Sequence, residues 1–243
     1  MKLLLLSNST NHDSGYLDHA VEQIAGLFGG VRRILFVPFA LHDQAWYWTR
    51  ARERFSKLEI EVDRLEEGPS ARAAVRNAAG IFIGGGNTFR LLDRLHRCDV
   101  VGAIRERAAA GMPYMGASAG TVVASPTLKT TNDMPIVQPP SFHALGLVPF
   151  QINCHYLDPE PGSRHMGETR EQRIVEFLEE SDVPVVGLRE GAMLQVEGHA
   201  VLSVELSGTS GARIFRRGTD PVEESPGSRL DYLAVSPGSR STR

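Results

Sequence analysis

The sequence predicts an α/β fold in which a mostly parallel sheet carries helices on both faces, and three observations lead there. Short apolar runs at residues 3–6, 34–37 and 81–83 are continuous rather than alternating, as in strands buried on both faces. Segments of helical apolar spacing alternate with these runs. Two apolar runs end in glycine: residues 79–86 read AGIFIGGG and residues 113–120 read PYMGASAG. Ligands of such sheets sit beyond the carboxyl ends of the strands, where both glycine stretches fall.

Taken in order, the run at 3–6 is a buried strand broken by the turn and capping residues Ser7-Asn8-Ser9-Thr10. Leu17, Val21, Ile24 and Phe28 follow at helical spacing until Gly29-Gly30 stops them. Residues 34–37 repeat the strand signature, and Pro38 closes it. A helix rich in Trp, Tyr and Arg is expected over 43–57, a short strand over 59–62 and a helix over 71–78 leading into 81–83. Asn87-Thr88 is placed to cap a helix bearing Phe89, Leu92 and Leu95 on one face. Val100, Ile104 and Ala108 mark the next helix, ended by Gly111-Met112-Pro113.

From 125 to 150 the chain is Pro-rich and aperiodic, and a loop that long inside a domain is more often functional than idle. Residues 150–155 then form a short strand ending in His155, and 168–179 a helix with Ile174, Val175 and Leu178 inward. Residues 185–188 are another buried strand, followed by Arg189-Glu190-Gly191. Alternations near 193–196, 200–206 and 212–215 read as a C-terminal antiparallel edge. Residues 1–216 are thus expected to be one α/β catalytic domain, and 217–243, rich in Pro, Gly, Ser and Arg, a mobile tail.

Composition narrows the function classes. A chain of 243 residues with 42% hydrophobic and 23% charged residues is of ordinary globular make-up. A net charge of -3 offers no attraction to nucleic acid. No apolar run approaches the roughly 20 residues of a membrane span, and the apolar start stops at Ser7, short of a secretory signal. Two cysteines, Cys98 and Cys154, make no disulfide framework, so a cytoplasmic location is expected. Nothing in the sequence decides between a monomer and a homodimer.

Gly116-Ala117-Ser118-Ala119-Gly120 is a G-x-S-x-G pattern lying after a strand and before a helix, the context of a nucleophile elbow. Ser118 then needs a base, and the base needs an acceptor that holds its tautomer. Of the eight histidines only His155 closes an apolar strand-like run, and Glu190 closes the next one. Either could instead be an ordinary strand-end or turn residue. The order Ser, His, Glu differs from that of α/β-hydrolases, where the acid precedes the histidine. The amide of Ala119, directly after the serine, suits an oxyanion, and a second donor is expected from Gly84-Gly85-Gly86. No Gly-Lys-Ser/Thr follows those glycines, which disfavours a nucleotide-phosphate loop. His165-Met166-Gly167-Glu168 lacks the pairing of a zinc motif. Cys154, adjacent to His155 in a strand, points to the opposite face.

With these residues in place the chain resembles the peptidase E family of serine peptidases, α-aspartyl dipeptidases whose family also contains cyanophycinase. The likeness runs from residue 3 to about 215. Its most specific pieces are GGGNTF (84–89), SAG (118–120), TTNDMPIV (130–137), GETREQR (167–173) and GLREG (187–191). The resemblance implies a fold like that of class I glutamine amidotransferases. It implies a triad of Ser118, His155 and Glu190, with amides near Gly86 and Ala119 as the oxyanion hole. It also implies hydrolysis of dipeptides with an N-terminal aspartate, without cofactor or metal. For such a substrate an arginine suits the β-carboxylate and an acidic group the α-ammonium. Arg170 and Asp133 are the candidates, with Asn87, Thr130, Thr131 and Asn132 in support. Ala117 stands where the family pattern has a bulky aromatic residue, and Cys154 where it has proline, which bears on pocket shape. Two alternatives remain beside the dipeptidase: a cyanophycinase-like hydrolase of β-aspartyl-arginine links, and a non-catalytic binding protein on the same fold.

Overall fold

A computed structural model describes residues 1–159, 162, 167–199 and 201–234. The first half of the chain alternates strand and helix: β1 (Lys2–Leu6), α1 (Val21–Leu27), β2 (Arg33–Val37), α2 (Gln44–Ser56), β3 (Glu61–Arg64), α3 (Ala71–Asn77), β4 (Ile81–Ile83), α4 (Thr88–Arg97), α5 (Val101–Ala109), β5 (Tyr114–Ala117) and α6 (Ala119–Val122). The second half holds β6 (Gln151–Cys154), α7 (Arg170–Glu179), β7 (Val185–Leu188), β8 (Ala192–Gly198), β9 (Leu202–Gly208), β10 (Ala212–Phe215) and β11 (Val222–Glu224).

The main sheet has seven strands in the order β3-β2-β4-β5-β1-β8-β9. Its first five are parallel, and β8 and β9 extend it antiparallel beside β1. The continuous apolar runs fill both faces, because successive strand residues point to opposite sides. Leu3, Leu5, Val37, Ile81 and Ile83 pack with Val75, Leu91, Leu95 and Ile104 of α3, α4 and α5. Leu4, Leu6, Phe36, Phe82 and Met115 pack with Ile24, Tyr47, Ala51 and Phe55 of α1 and α2 on the other side. Each such side chain contributes ~1.5–3 kcal/mol of transfer free energy.

The expected edge resolves into two parts. β8 and β9 join the main sheet, whereas β10 belongs to a second, four-stranded sheet ordered β11-β10-β7-β6. Strands β6 and β7 pair parallel, and β10 and β11 add antiparallel. Periodicity marks a strand but not its partner, so the division was invisible in the sequence. Helix α7 covers this small sheet through Ile174 and Leu178 against Tyr156, Val185 and Phe215. It is closed at its start by a reciprocal cap between Thr169 and Gln172. Val175, expected on the inner face, is 47% exposed.

The segment expected as a tail after residue 216 packs on the domain as far as it is described. β11 pairs with β10, Leu230 donates its amide to Val204, and Leu230 and Leu233 are buried in the main core. Residues 235–243 lie outside the described residues. The aperiodic segment 125–150 is likewise tied down, with Ala144, Leu145, Leu147 and Val148 buried. Among the described residues no helix is long and apolar enough to cross a membrane.

Candidate active site

Strand β5 ends at Ala117, and Ser118 turns the chain into α6 with φ 51° and ψ -110°. A non-glycine residue there costs ~1–3 kcal/mol and persists only where its surroundings over-determine it. The surroundings are close. A Cβ on Gly120 would lie 2.0 Å from the Ile83 carbonyl oxygen, and one on Gly116 would lie 2.5 Å from the Gly120 carbonyl oxygen. The two glycines of the G-x-S-x-G pattern therefore allow α6 to press on β4 and β5.

Ser118 Oγ lies 2.8 Å from His155 Nε2, and His155 Nδ1 lies 2.6 Å from Glu190 Oε1. A carboxylate only accepts, so Nδ1 carries the proton and Nε2 presents its lone pair to the serine hydroxyl. The three side chains are thus linked in one chain, drawn from β5 of the main sheet and the ends of β6 and β7 of the small one. His155 also has positive φ, 53°, so both partners of the serine–histidine contact sit in strained backbone. The imidazole is 38% and the carboxylate 56% exposed, open to a ligand from solvent.

The amides of Gly86 and Ala119 make no hydrogen bond among the described residues. Gly85 borders Ser118 directly, since a Cβ on it would lie 3.1 Å from Ser118 Cβ. The glycine loop thus borders Ser118, and the loop and the start of α6 each carry a backbone N–H without a partner among the described residues.

The remaining candidates gather around Asp133. Its Oδ2 accepts from the Thr88 amide at 2.7 Å, the Thr88 hydroxyl at 2.6 Å and the Thr131 hydroxyl at 3.2 Å. Asn87 caps α4 by accepting from the Arg90 amide, and its Nδ2 donates to the Met134 carbonyl. Asn132 donates to the Cys154 carbonyl and accepts from Asn153. Thr130 is buried, and its hydroxyl donates to the Ile152 carbonyl. The segment 130–133 is thus stitched to β6 and to the start of α4.

Arg170 opens α7 half-buried. Its pKa is lowered by burial first and by Arg173 second, while Asp133 opposes the shift. Its Nε is buried without a partner among the described residues. Ala117 and Cys154 both sit in the core, and the Cys154 thiol donates to the Ser118 carbonyl at 3.6 Å. Burial pushes that thiol far up, away from thiolate chemistry. His165 and Met166 lie outside the described residues.

Several supporting residues were not anticipated. Ser7 Oγ accepts the His155 amide at 2.9 Å and donates to the Leu188 carbonyl at 2.8 Å, joining β1 to β6 and β7. Asn8 accepts the Gly191 amide beside Glu190 at 2.8 Å. Arg189 forms a two-pronged bond to Asp158 at 2.7 Å per prong and reaches Glu223 of β11. Only the position of Ser7-Asn8 at the end of β1 hinted at a role, and it read as turn chemistry.

Residues 3–204 match the family described as peptidase family S51. The chain is 54% identical over 233 residues to "Peptidase E" of Streptomyces coelicolor, covering 96% of this chain and 95% of that protein. It is 46% identical over 234 residues to "Probable alpha-aspartyl dipeptidase" of Drosophila melanogaster, covering 95% and 96%. Among solved structures it resembles a peptidase from an acI-B1 actinobacterium, with TM-score 0.68, 18% identity and coverage of 94% and 96%. It also resembles a putative peptidase E protein from Listeria monocytogenes, with TM-score 0.64, 23% identity and coverage of 86% and 98%. These two likenesses bear on the fold.

Proposed function

The chain belongs to peptidase family S51, and from that premise we propose that it is a serine dipeptidase cleaving Asp-Xaa, with Ser118 as nucleophile, His155 as base and Glu190 as the orienting acid. The observation that carries this reading is the unbroken chain of contacts from Ser118 Oγ through both ring nitrogens of His155 to Glu190. A relic serine on a binding protein would have no reason to keep a base at hydrogen-bond distance in strained backbone.

His155 Nε2 takes the serine proton as Oγ attacks the peptide carbonyl. The amides of Gly86 and Ala119 hold the resulting oxyanion. His155 then gives the proton to the leaving amine, producing an aspartyl ester on Ser118, and activates the water that hydrolyses it. Arg170 binds the β-carboxylate of the aspartate. Asp133, held by Thr88 and Thr131, leaves its Oδ1 for the α-ammonium: that atom makes no bond among the described residues. Asn87, Thr130, Thr131 and Asn132 serve by fixing Asp133 and the strand behind it.

The test is hydrolysis of Asp-Leu, Asn-Leu and Glu-Leu by the wild type and by Ser118→Ala, with a chelator throughout. Cleavage of Asp-Leu alone, lost in Ser118→Ala and indifferent to chelator, is the expected outcome. Activity surviving Ser118→Ala would refute the triad. Cleavage of β-aspartyl-arginine but of no α-dipeptide would move the assignment to a cyanophycinase-like hydrolase.

A further inference from the structure

The loop at residues 84–87 commits its amides one by one. Gly84 donates to the Val37 carbonyl at 3.2 Å and Asn87 to the Ala40 carbonyl at 3.1 Å. Gly85 donates not to backbone but to the hydroxyl oxygen of Tyr47, at 2.7 Å, a residue of α2 38 positions away. Gly86 alone in this loop keeps an uncommitted amide among the described residues.

Each glycine answers to a different constraint. A Cβ on Gly84 would fall 2.5 Å from the Tyr47 hydroxyl oxygen and 2.6 Å from its ring. One on Gly85 would press on Ser118. Gly86 has φ 131°, and a Cβ there would lie 2.8 Å from the Ala40 carbonyl oxygen. The triple glycine is therefore shaped on one side by the nucleophile and on the other by Tyr47. The tyrosine ring itself is fixed: it is buried, edge-on to Phe36 with centroids 5.0 Å apart, and stacked with Trp46 at 6.4 Å.

We propose that Tyr47 is a positioning residue for the oxyanion loop, its hydroxyl holding the Gly85 amide so that the neighbouring Gly86 amide stays turned to the reaction. This rests on the serine-peptidase reading and deepens it. Without the hydroxyl, the buried Gly85 N–H has no acceptor, and the peptide swings to find one, carrying the Gly86 amide with it. An oxyanion donor acts on the transition state more than on the bound substrate, so the loss belongs to kcat. Burial raises the Tyr47 pKa, which keeps the phenol neutral through the working pH range.

The experiment compares wild type, Tyr47→Phe and Tyr232→Phe. Tyr232 lies outside the aromatic cluster of Tyr47 and its hydroxyl donates to Glu224, so it controls for loss of a tyrosine hydroxyl away from the glycine loop. Two quantities are read: the kinetics of Asp-Leu cleavage, and the rate at which a fluorophosphonate labels Ser118 without any dipeptide. Tyr47→Phe is expected to lower kcat and the labelling rate by about 10- to 100-fold with KM within about threefold, and Tyr232→Phe to leave both near wild type. If Tyr47→Phe does not fold, para-fluorophenylalanine incorporated at position 47 fills the same space and accepts poorly, and the same loss is expected. Unchanged kcat and labelling, or a rise in KM alone, would overturn the proposal. A wild type that is labelled but cleaves no dipeptide would refute the substrate assignment while the labelling rates still decide the role of Tyr47. A wild type that is never labelled would overturn both.

Discussion

Ser7 lies at the end of the first strand and is fully buried, yet it supports the far half of the site. Its hydroxyl is the acceptor for the His155 amide and a donor to the Leu188 carbonyl, so one oxygen spaces the ends of β6 and β7. His155 is held at positive φ, and a tether on its own amide is what keeps a strained residue from relaxing. Ser7→Ala leaves the His155 N–H without its acceptor, while the Leu188 carbonyl keeps the Tyr156 amide, at a cost of ~1–3 kcal/mol. Urea unfolding is expected to show that loss. A kcat for Asp-Leu falling more than KM rises would place it at His155, and unchanged stability would refute the tether.

At the scale of elements, the loops after β6 and β7 are joined by charge. Arg189 precedes Glu190 and grips Asp158, three residues after His155, while Glu223 of β11 holds the same guanidinium. Arg213 of β10 adds contacts to Glu171 and Glu223. The pair thus spans the two loops that carry His155 and Glu190. The Arg189 hydrogen bond holds the Asp158 carboxyl below its ordinary value of 3.8. A depressed carboxyl pKa stabilises the fold above the unfolded value, and that contribution is lost as pH falls through the folded value. Asp158→Asn is therefore expected to lower Tm at pH 7, with the difference from wild type closing below about pH 4. The Asp158 side chain is 48% exposed, so solvent screening keeps the effect modest. A Tm difference independent of pH would argue that shape rather than charge joins the loops.

For the molecule as a whole, two sheets share one site and one body. The main sheet supplies Ser118 and the glycine loop, and the small sheet supplies His155 and Glu190. The chain after residue 216 belongs to that body as far as Ala234: Leu230 is fully buried and Leu233 nearly so, in the core that also holds Val204 and Leu206. Leu230→Ala is expected to cost ~2–5 kcal/mol in denaturant unfolding, as for other buried leucines. A mere appendage would show no change.

The sequence alone determined the alternation of strand and helix and the turn at Ser118, and it singled out His155 and Glu190, the proposed base and acid. These are local signals: apolar runs of four residues, a glycine on either side of a serine, a polar residue at the end of a strand. Motifs such as TTNDMPIV and GETREQR also marked Asp133 and Arg170, because long ordered matches carry what no single pattern does. Only the tertiary structure decided which strands pair, and so that His155 and Glu190 stand at the strand ends of a second sheet. It alone brought Tyr47 beneath Gly85, Ser7 beneath His155 and Glu223 beside Arg189. Those contacts join residues 34 to 148 positions apart. Nothing in a tyrosine within a helix or a serine in a turn announces its partner, since hydrogen-bond chemistry is generic and only the packed backbone selects who meets whom.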